Sequence, residues 1–436
     1  MRTVFCLLLL CCLLGACGVS RKIHQSAQNI VLQDPALQTA HVGISIYEPA
    51  TGRWWYNFQG DKYFVPASNV KIATCYAAMK YLGDSLVGLR FSKNENGYLL
   101  QATGDPTFLD PEFRRQPVYD FLKKNAEVGE LTFATDNWQA RHLGSGWSWN
   151  DYNASYMVER SPFPVYGNLV QFSFRKTGLV TSPAAFEKLL VFEPGIEAFD
   201  SISIERELAQ NNFFIRPAKT IFGSEEIPFV TNGFASALLL LNDTIRPKLP
   251  FNEVRQSFPA QGTRLHSQPT DSLLKPMMHR SDNFFAEQSL LMVSNEVLGY
   301  MNDEKIIDTL LKTDFAALPH RPRWADGSGL SRYNLFTPQD FVFILQKIKD
   351  EFGMERIRIL LPSGGEGTLS GFYKGEKPFL YAKTGTLSGV VALSGYLTTK
   401  KGKELIVSVL VNNHRSGAVQ IRRLIEQFLQ NLRDMH

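Results

Sequence analysis

The sequence predicts an α+β protein in which an antiparallel sheet flanked by helices is interrupted by a large strand-rich insertion. Three observations carry this expectation. Strand-like apolar runs cluster at the two ends of the chain, and amphipathic helices precede and follow the closing run. From about residue 90 to 260 the texture changes to short strand-like pieces between turn signals such as Asn96-Gly97, Gly104-Asp105-Pro106 and the Gly144–Trp149 stretch. At 436 residues the chain also exceeds the usual size of one core, so two to three domains are expected. The texture sets their limits at 18–90 with 261–436 for the sheet-and-helix domain, and 91–260 for the inserted accessory domain or domains.

In order along the chain, residues 18 to about 26 read as a short polar tether and the stretch to Ala40 as a weak helix. Val42–Tyr47 and Arg53–Phe58 flank the turn Glu48-Pro49-Ala50-Thr51-Gly52, a hairpin. Pro66-Ala67-Ser68 stops the extended chain. Asn69–Leu82, apolar almost all round and ended by Gly83, is the pattern of a buried helix. Helices are expected again over Asp282–Leu298, Asp303–Leu311 and Pro338–Asp350, then strands over Phe379–Lys383, Val390–Leu397 and Glu404–Asn412. A closing helix, Ala418–Leu432, carries apolar Val419, Ile421, Ile425, Phe428 and Leu432.

The N-terminus reads as an export signal: a positive Arg2, an apolar run from Val4 to Leu14 too short to span a bilayer stably, then Gly15 and Ala16. Leu14-Gly15-Ala16-Cys17 resembles a bacterial lipobox. Residues 1–17 are therefore expected as a lipoprotein-type signal, with Cys17 lipidated and the protein held to a membrane at its periplasmic face. Cleavage by an ordinary signal peptidase, with Cys17 incidental, is the alternative. Of five cysteines, Cys6, Cys11 and Cys12 fall in the signal, which leaves Cys75 alone in the folded body, without a partner for an internal disulfide. Its apolar helical setting makes it a small buried hydrophobe. The formal charge of +4 is small and dispersed, with no Lys/Arg run, so nucleic acid is not an expected partner.

Three short motifs carry the chemistry, and each occurs with decoys. Ser-x-x-Lys is found at Ser68–Lys71 and Ser272–Lys275. Ser-x-Asn is found at Ser281–Asn283, Ser92–Asn94 and Ser148–Asn150. Lys-Thr-Gly is found at Lys383–Gly385 and Lys176–Gly178. A serine and a lysine three apart share one helix face, and Ser68 opens the buried helix, whose N-terminus favours developing negative charge. Ser272–Lys275 runs at once into Pro276, expected to end a helix. Ser281-Asp282-Asn283 starts a helix with capping residues, whereas the other two Ser-x-Asn sites lie in turn regions. Lys383-Thr384-Gly385 ends a strand that leads into two more, so a sheet is available to hold it.

With these groups in one cleft, roles follow from charge. Lys71 acts as a base if its pKa falls, and burial beside Lys383 pushes it that way. It then takes the proton of Ser68 as that oxygen attacks a carbonyl. Ser281 relays the proton to the leaving amine and Asn283 holds a substrate amide. Lys383 and Thr384, with Gly385 and Thr386 beside them as substrate-binding residues, suit a carboxylate, and the backbone N–H groups of Ser68 and Thr386 suit the oxyanion.

The ordered set resembles the penicillin-recognising serine enzymes, and in spacing the class C low-molecular-mass penicillin-binding proteins, the D-alanyl-D-alanine carboxypeptidase/endopeptidase family. Further signatures match in order over about residues 28 to 430: Phe64 to Asn69, Gly104 to Thr107, Gly146-Trp147 with Trp149 to Asp151, Asp326 to Arg332, Gly367 to Leu369 and Lys383 to Leu387. The long interval between Ser68 and Ser281 suits that family, and no Glu-x-x-Leu-Asn segment of a class A β-lactamase is present. The resemblance implies a serine β-lactamase/transpeptidase-like catalytic domain that cleaves peptidoglycan stem peptides without a cofactor and is acylated by β-lactams at Ser68. It also implies that Asp151 approaches the amine end of a diamino-acid side chain and Arg332 its carboxylate, against structural salt bridges as the plain alternative. Ser388 departs from the longer polar residue of some members, which leaves peptide preference open. The rival readings are a β-lactamase or esterase on the same scaffold, separated by fast turnover of the penicilloyl-enzyme, and a non-catalytic wall-binding or β-lactam-sensing lipoprotein.

Overall fold

The computed structural model describes residues 20–175, 178–193, 199–201, 203–216, 218–220, 223–375 and 377–435. The expected signal with Cys17, and the Lys176-Thr177 pair of one decoy, lie outside these residues. The chain forms two compact units. One takes in the chain up to Tyr76, Lys275–Ser281 and Leu310–His436; the other takes in Ala77–Leu274 and Asp282–Thr309.

The first unit is built on five strands: β1 (His41–Glu48), β2 (Arg53–Phe58), β3 (Leu380–Leu387), β4 (Val390–Thr398) and β5 (Glu404–Asn412). Their order is β3-β4-β5-β1-β2 with every neighbour antiparallel, so β3 is an edge strand. One face is covered by the closing helix Ala418–Met435, whose Ile421, Ile425, Phe428 and Leu432 pack with Ile44, Ile46, Val407 and Val409. The N-terminal segment joins the same core. Residues 20–27 are helical and continue as a wider turn over Gln28–Leu32, burying Ile23, Ala27 and Val31. The expected polar tether is thus a helix: apolar residues four apart form one stripe, which the polar residues between them, such as Gln25, Ser26, Gln28 and Asn29, hide in a linear reading.

Ala67–Val70, a tight helical turn, leads into the helix Lys71–Tyr81 and lies against β3 and β4. Ile72, Ala73 and Tyr76 are all fully buried, as the all-round apolar pattern required. The helical stretch Pro338–Leu360 starts at a reciprocal cap between Thr337 and Asp340 and is broken at Gly353, whose φ of +74° and ψ of 161° are not helical, so a first helix stops close to the expected end at Asp350 and a second runs on to Leu360. Lys383-Thr384-Gly385 sits within β3 rather than at its end, because pairing with β4 continues to Leu387↔Val390.

The second unit carries a five-stranded sheet in the order Asn252–Val254, Glu130–Ala134, Gly97–Ala102, Ser85–Lys93, Thr263–Pro269, together with smaller sheets. Ser85–Lys93 pairs on one side with Gly97–Ala102 and on the other with Thr263–Pro269, so one sheet draws in both flanks of the strand-rich region. Residues 77–90, 261–274 and 282–309 accordingly cluster with it. Its core is rich in aromatic rings, with Phe133 against Phe163, Phe234 and Phe251. The helix Asn283–Leu298 is capped by Asp282, which accepts from the Phe285 N–H, and is buried without a break from Phe284 to Asn295.

Candidate active site

Ser68 is held by crowding around the turn that bears it. Ala67 has φ +47°, a left-handed conformation for a residue with a Cβ. Two glycines make room for it. A Cβ on Gly329, itself at φ +83°, would stand 1.9 Å from the Ala67 carbonyl oxygen, and one on Gly385 would stand 3.0 Å from the Ser68 nitrogen. Lys71, one turn on and fully buried, donates from Nζ to Ser68 Oγ at 3.0 Å and to the Ser328 carbonyl at 2.7 Å. The Ser328 loop is fixed in turn by Asp326, fully buried, which accepts from the Gly329 N–H (2.8 Å), the Ser331 N–H (2.6 Å) and Asn334 Nδ2 (2.7 Å). Thr74 adds a bond to the Gly327 carbonyl at 2.6 Å.

A second serine–lysine contact lies in the same unit. Lys383 Nζ, fully buried on β3, donates to Ser281 Oγ at 2.9 Å and to the Thr384 carbonyl at 2.7 Å. Burial, then the Lys71 ammonium, then the Arg422 guanidinium push Lys383 well below the ordinary lysine range. Ser281 sits at φ +65° between the helix Thr270–His279 and the next one, a left-handed position for a non-glycine residue. Asn69 ties the turn to the sheet, accepting from the Ser394 hydroxyl at 2.7 Å and donating to the Lys383 carbonyl at 3.0 Å.

The edge of β3 has a defined direction. The Ala382 N–H donates outward, to the Pro362 carbonyl, and the groups of a strand alternate sides, so the N–H of Thr384 and Thr386 point to that same outer edge. Thr384 Oγ1 donates to Thr368 Oγ1 at 2.7 Å. Thr386, exposed, accepts at Oγ1 from Arg422 Nη2 at 2.5 Å.

The structure brings Ser68, Lys71, Ser281, Lys383, Thr384, Gly385 and Thr386 into one unit. Asn283 opens the following helix in the other unit, where Nδ2 donates to the Tyr156 carbonyl at 2.9 Å. Asp151 lies there too, on the short turn Trp149–Asp151, half-buried and facing the Tyr156 phenol, which burial first and then Asp151 push up. Arg332, in the first unit, is exposed and donates to the Ser388 carbonyl at 3.2 Å.

The decoys separate by environment. Ser272 and Lys275 are both exposed, on a helix that continues through Pro276 to His279. Pro276 therefore does not end that helix as expected, since later donors such as the Arg280 N–H, bonded to the Pro276 carbonyl, carry the ladder on. Asn94 Oδ1 accepts from the N–H groups of Asn96 and Gly97 in a turn, and Ser148 Oγ donates to Asn150 Oδ1 in solvent. Sequence reasoning missed Asp326, the Ser328 carbonyl and Thr368 as parts of the site. An aspartate before Gly-Ser-Gly is a turn signal that could have marked Asp326 as a loop organiser.

A helix-borne serine–lysine pair, a second serine bonded to a sheet lysine and an open edge strand beside them define a class, the active-serine enzymes of the penicillin-recognising fold. Residues 24–216 and 229–432 match the D-Ala-D-Ala carboxypeptidase 3 (S13) family. The chain is 27% identical to the D-alanyl-D-alanine carboxypeptidase of Actinomadura sp. (strain R39), over 89% of this chain and 80% of that one. It is 26% identical to the D-alanyl-D-alanine carboxypeptidase DacB of Haemophilus influenzae, over 86% and 87%. In fold it resembles the crystal structure of penicillin binding protein 4 (dacB) from Haemophilus influenzae, with a TM-score of 0.71 at 21% identity, covering 94% of this chain and 98% of that one. This chain belongs to the D-Ala-D-Ala carboxypeptidase 3 (S13) family, serine-type carboxypeptidases of the bacterial cell wall, as the order of its motifs implied.

Proposed function

We propose that the protein hydrolyses D-alanyl peptide bonds of peptidoglycan stem peptides, as carboxypeptidase, endopeptidase or both, through an acyl-enzyme on Ser68. The observation that carries the assignment of residues is the 3.0 Å contact from Lys71 Nζ to Ser68 Oγ inside a buried pocket that also holds Lys383. Lys383 is the neighbour whose charge Lys71 meets, and a cation at that place works in the direction that a base at Lys71 requires. Lys71 takes the Ser68 proton as Oγ bonds to the carbonyl carbon. The tetrahedral oxyanion is met by the N–H of Ser68 and of Thr386, the latter on the open edge of β3. The C–N bond then breaks as Ser281, bonded to Lys383, passes a proton to the departing amine. Water attacks the Ser68 ester by the reverse proton route and releases the acid.

In this reading Asn283 holds a substrate amide, Lys383 and Thr384 with Gly385 receive the carboxylate of the terminal residue, and β3 pairs with the peptide as an added strand. Asp151 and Arg332 serve the diamino-acid side chain, and their bonds to Tyr156 and to the Ser388 carbonyl are the positions from which they would be recruited. The accessory domain spans about 91–260, and Cys17 carries the lipid that holds the enzyme to a membrane. The penicillin binding protein 4 of Haemophilus influenzae, which this chain resembles in fold, has been seen in complex with a β-lactam, which supports acylation by this inhibitor class.

Labelled penicillin followed by peptide mapping tests the reading. Label is expected on Ser68, absent from Ser68→Ala and undiminished in Ser272→Ala, and D-alanine is released from a pentapeptide by the wild type only. Label on Ser272, or full labelling of the Ser68 variant, would overturn it.

A further inference from the structure

Arg422, on the closing helix, is a cation beside β3 to which the mechanism assigns no task. It is half-buried, its Nε is buried without a partner, and its Nη2 reaches Thr386 Oγ1 at 2.5 Å. Among the described residues no carboxylate pairs with it, although its neighbour Arg423 is paired with Glu426 at 2.6 Å. It also lines a small, mainly apolar cavity behind the strand with Thr368, Phe372 and Thr384. Taking a guanidinium out of water without a counter-charge is costly, and that cost acts on Arg422 as a shift below the ordinary arginine range. Lys383 stands close enough to feel the same charge. Two cations and two threonine hydroxyls thus face one stretch of strand, and none of the described residues that line the cavity is an anion. Because Thr386 Oγ1 accepts from Arg422, its own O–H is left to donate.

We propose that Arg422 is a specificity-determining residue that reads the carboxylate of the terminal D-amino acid, acting together with the hydroxyls of Thr384 and Thr386. The inference rests on the proposed function, which supplies a substrate with that carboxylate beside β3. A planar guanidinium matches a carboxylate with two parallel donors, so Arg422 distinguishes a free terminal acid from its amide by charge and by geometry.

The test compares two penicillins of one side chain, the free acid and its carboxamide, on the full chain and on Arg422→Gln and Arg422→Lys. With the acid, the second-order rate of Ser68 labelling is expected to fall about 10- to 100-fold in Arg422→Gln. Arg422→Lys, which keeps the charge and loses the fork, is expected to retain part of it. With the carboxamide, both variants are expected to match the wild type, a result that general damage to the site would not give. Equal losses for acid and amide, or no loss for either, overturn the inference. Should Arg422→Gln fail to fold, the acid-to-amide ratio of Arg422→Lys decides in the same way. A wild type that neither compound labels overturns the proposed function itself, and the inference with it.

Discussion

Replacing Asp326 by asparagine isolates the loop that orients Lys71. In the wild type, Oδ1 accepts from the Gly329 N–H and Asn334 Nδ2 while Oδ2 accepts from the Ser331 N–H at 2.6 Å, all in a fully buried setting. An amide retains one acceptor oxygen and turns its NH2 toward one of these donors, leaving a buried N–H unmet. That costs about 1–3 kcal/mol, which lowers the melting temperature by about 2–10 °C for a domain of this size. The same loop supplies the Ser328 carbonyl to Lys71 Nζ and crowds Gly329 against the Ala67 carbonyl. A shift of even a fraction of an ångström therefore reaches the Ser68–Lys71 contact, and labelling by penicillin is expected to slow by about 10- to 100-fold. Calorimetry and the labelling rate read the two effects separately. A variant that melts with the wild type and is labelled at the wild-type rate would refute the claim that this loop sets the geometry of the base.

Two further outcomes are expected. Ser281→Gly and Ser281→Ala both remove the hydroxyl and should slow acylation by about 10²- to 10⁴-fold. Only glycine relieves the φ of +65°, so Ser281→Gly should be the more stable of the two by about 1 kcal/mol in denaturant titration, and equal stability would show that this backbone stores no strain. Lys383→Met should abolish acylation yet melt higher than the wild type, with a pH dependence of defined sign. The folded-state pKa of Lys383 lies well below its unfolded value near 10.5. Above that value the lysine is neutral in both states and costs nothing. As the pH falls from there through the folded pKa, the unfolded chain takes up the proton first and the wild type loses stability relative to the variant. A melting-temperature difference that stays flat, or shrinks as the pH is lowered from 11, would contradict this.

Much of the catalytic unit was legible in the chain because short-range physics decides it. The apolar run after Pro66 could only be a buried helix, and it carries Ser68 and Lys71 on one face whatever surrounds it. The near-continuous apolar character and the length of 390–397 and 404–412 likewise settled two central strands. What escaped depended on partners distant in sequence. The helix over 20–27 is stabilised by a sheet most of whose strands lie beyond residue 379. The limits of the two units follow from Thr263–Pro269 pairing with Ser85–Lys93, a contact that no local pattern announces.

The sequence by itself determined which residue types were available for acyl transfer and on which elements they ride, since spacing along a helix or strand is local geometry. Only the tertiary structure decided that Lys71 hangs between Ser68 and a carbonyl organised by Asp326, that Ser281 answers to Lys383 and that Arg422 bonds to Thr386 with no carboxylate partner among the described residues. Burial and the repulsion of buried charges exist only once remote segments exclude water together, and it is those two effects that hold Lys383 well below the ordinary lysine range beside Ser281 and Lys71.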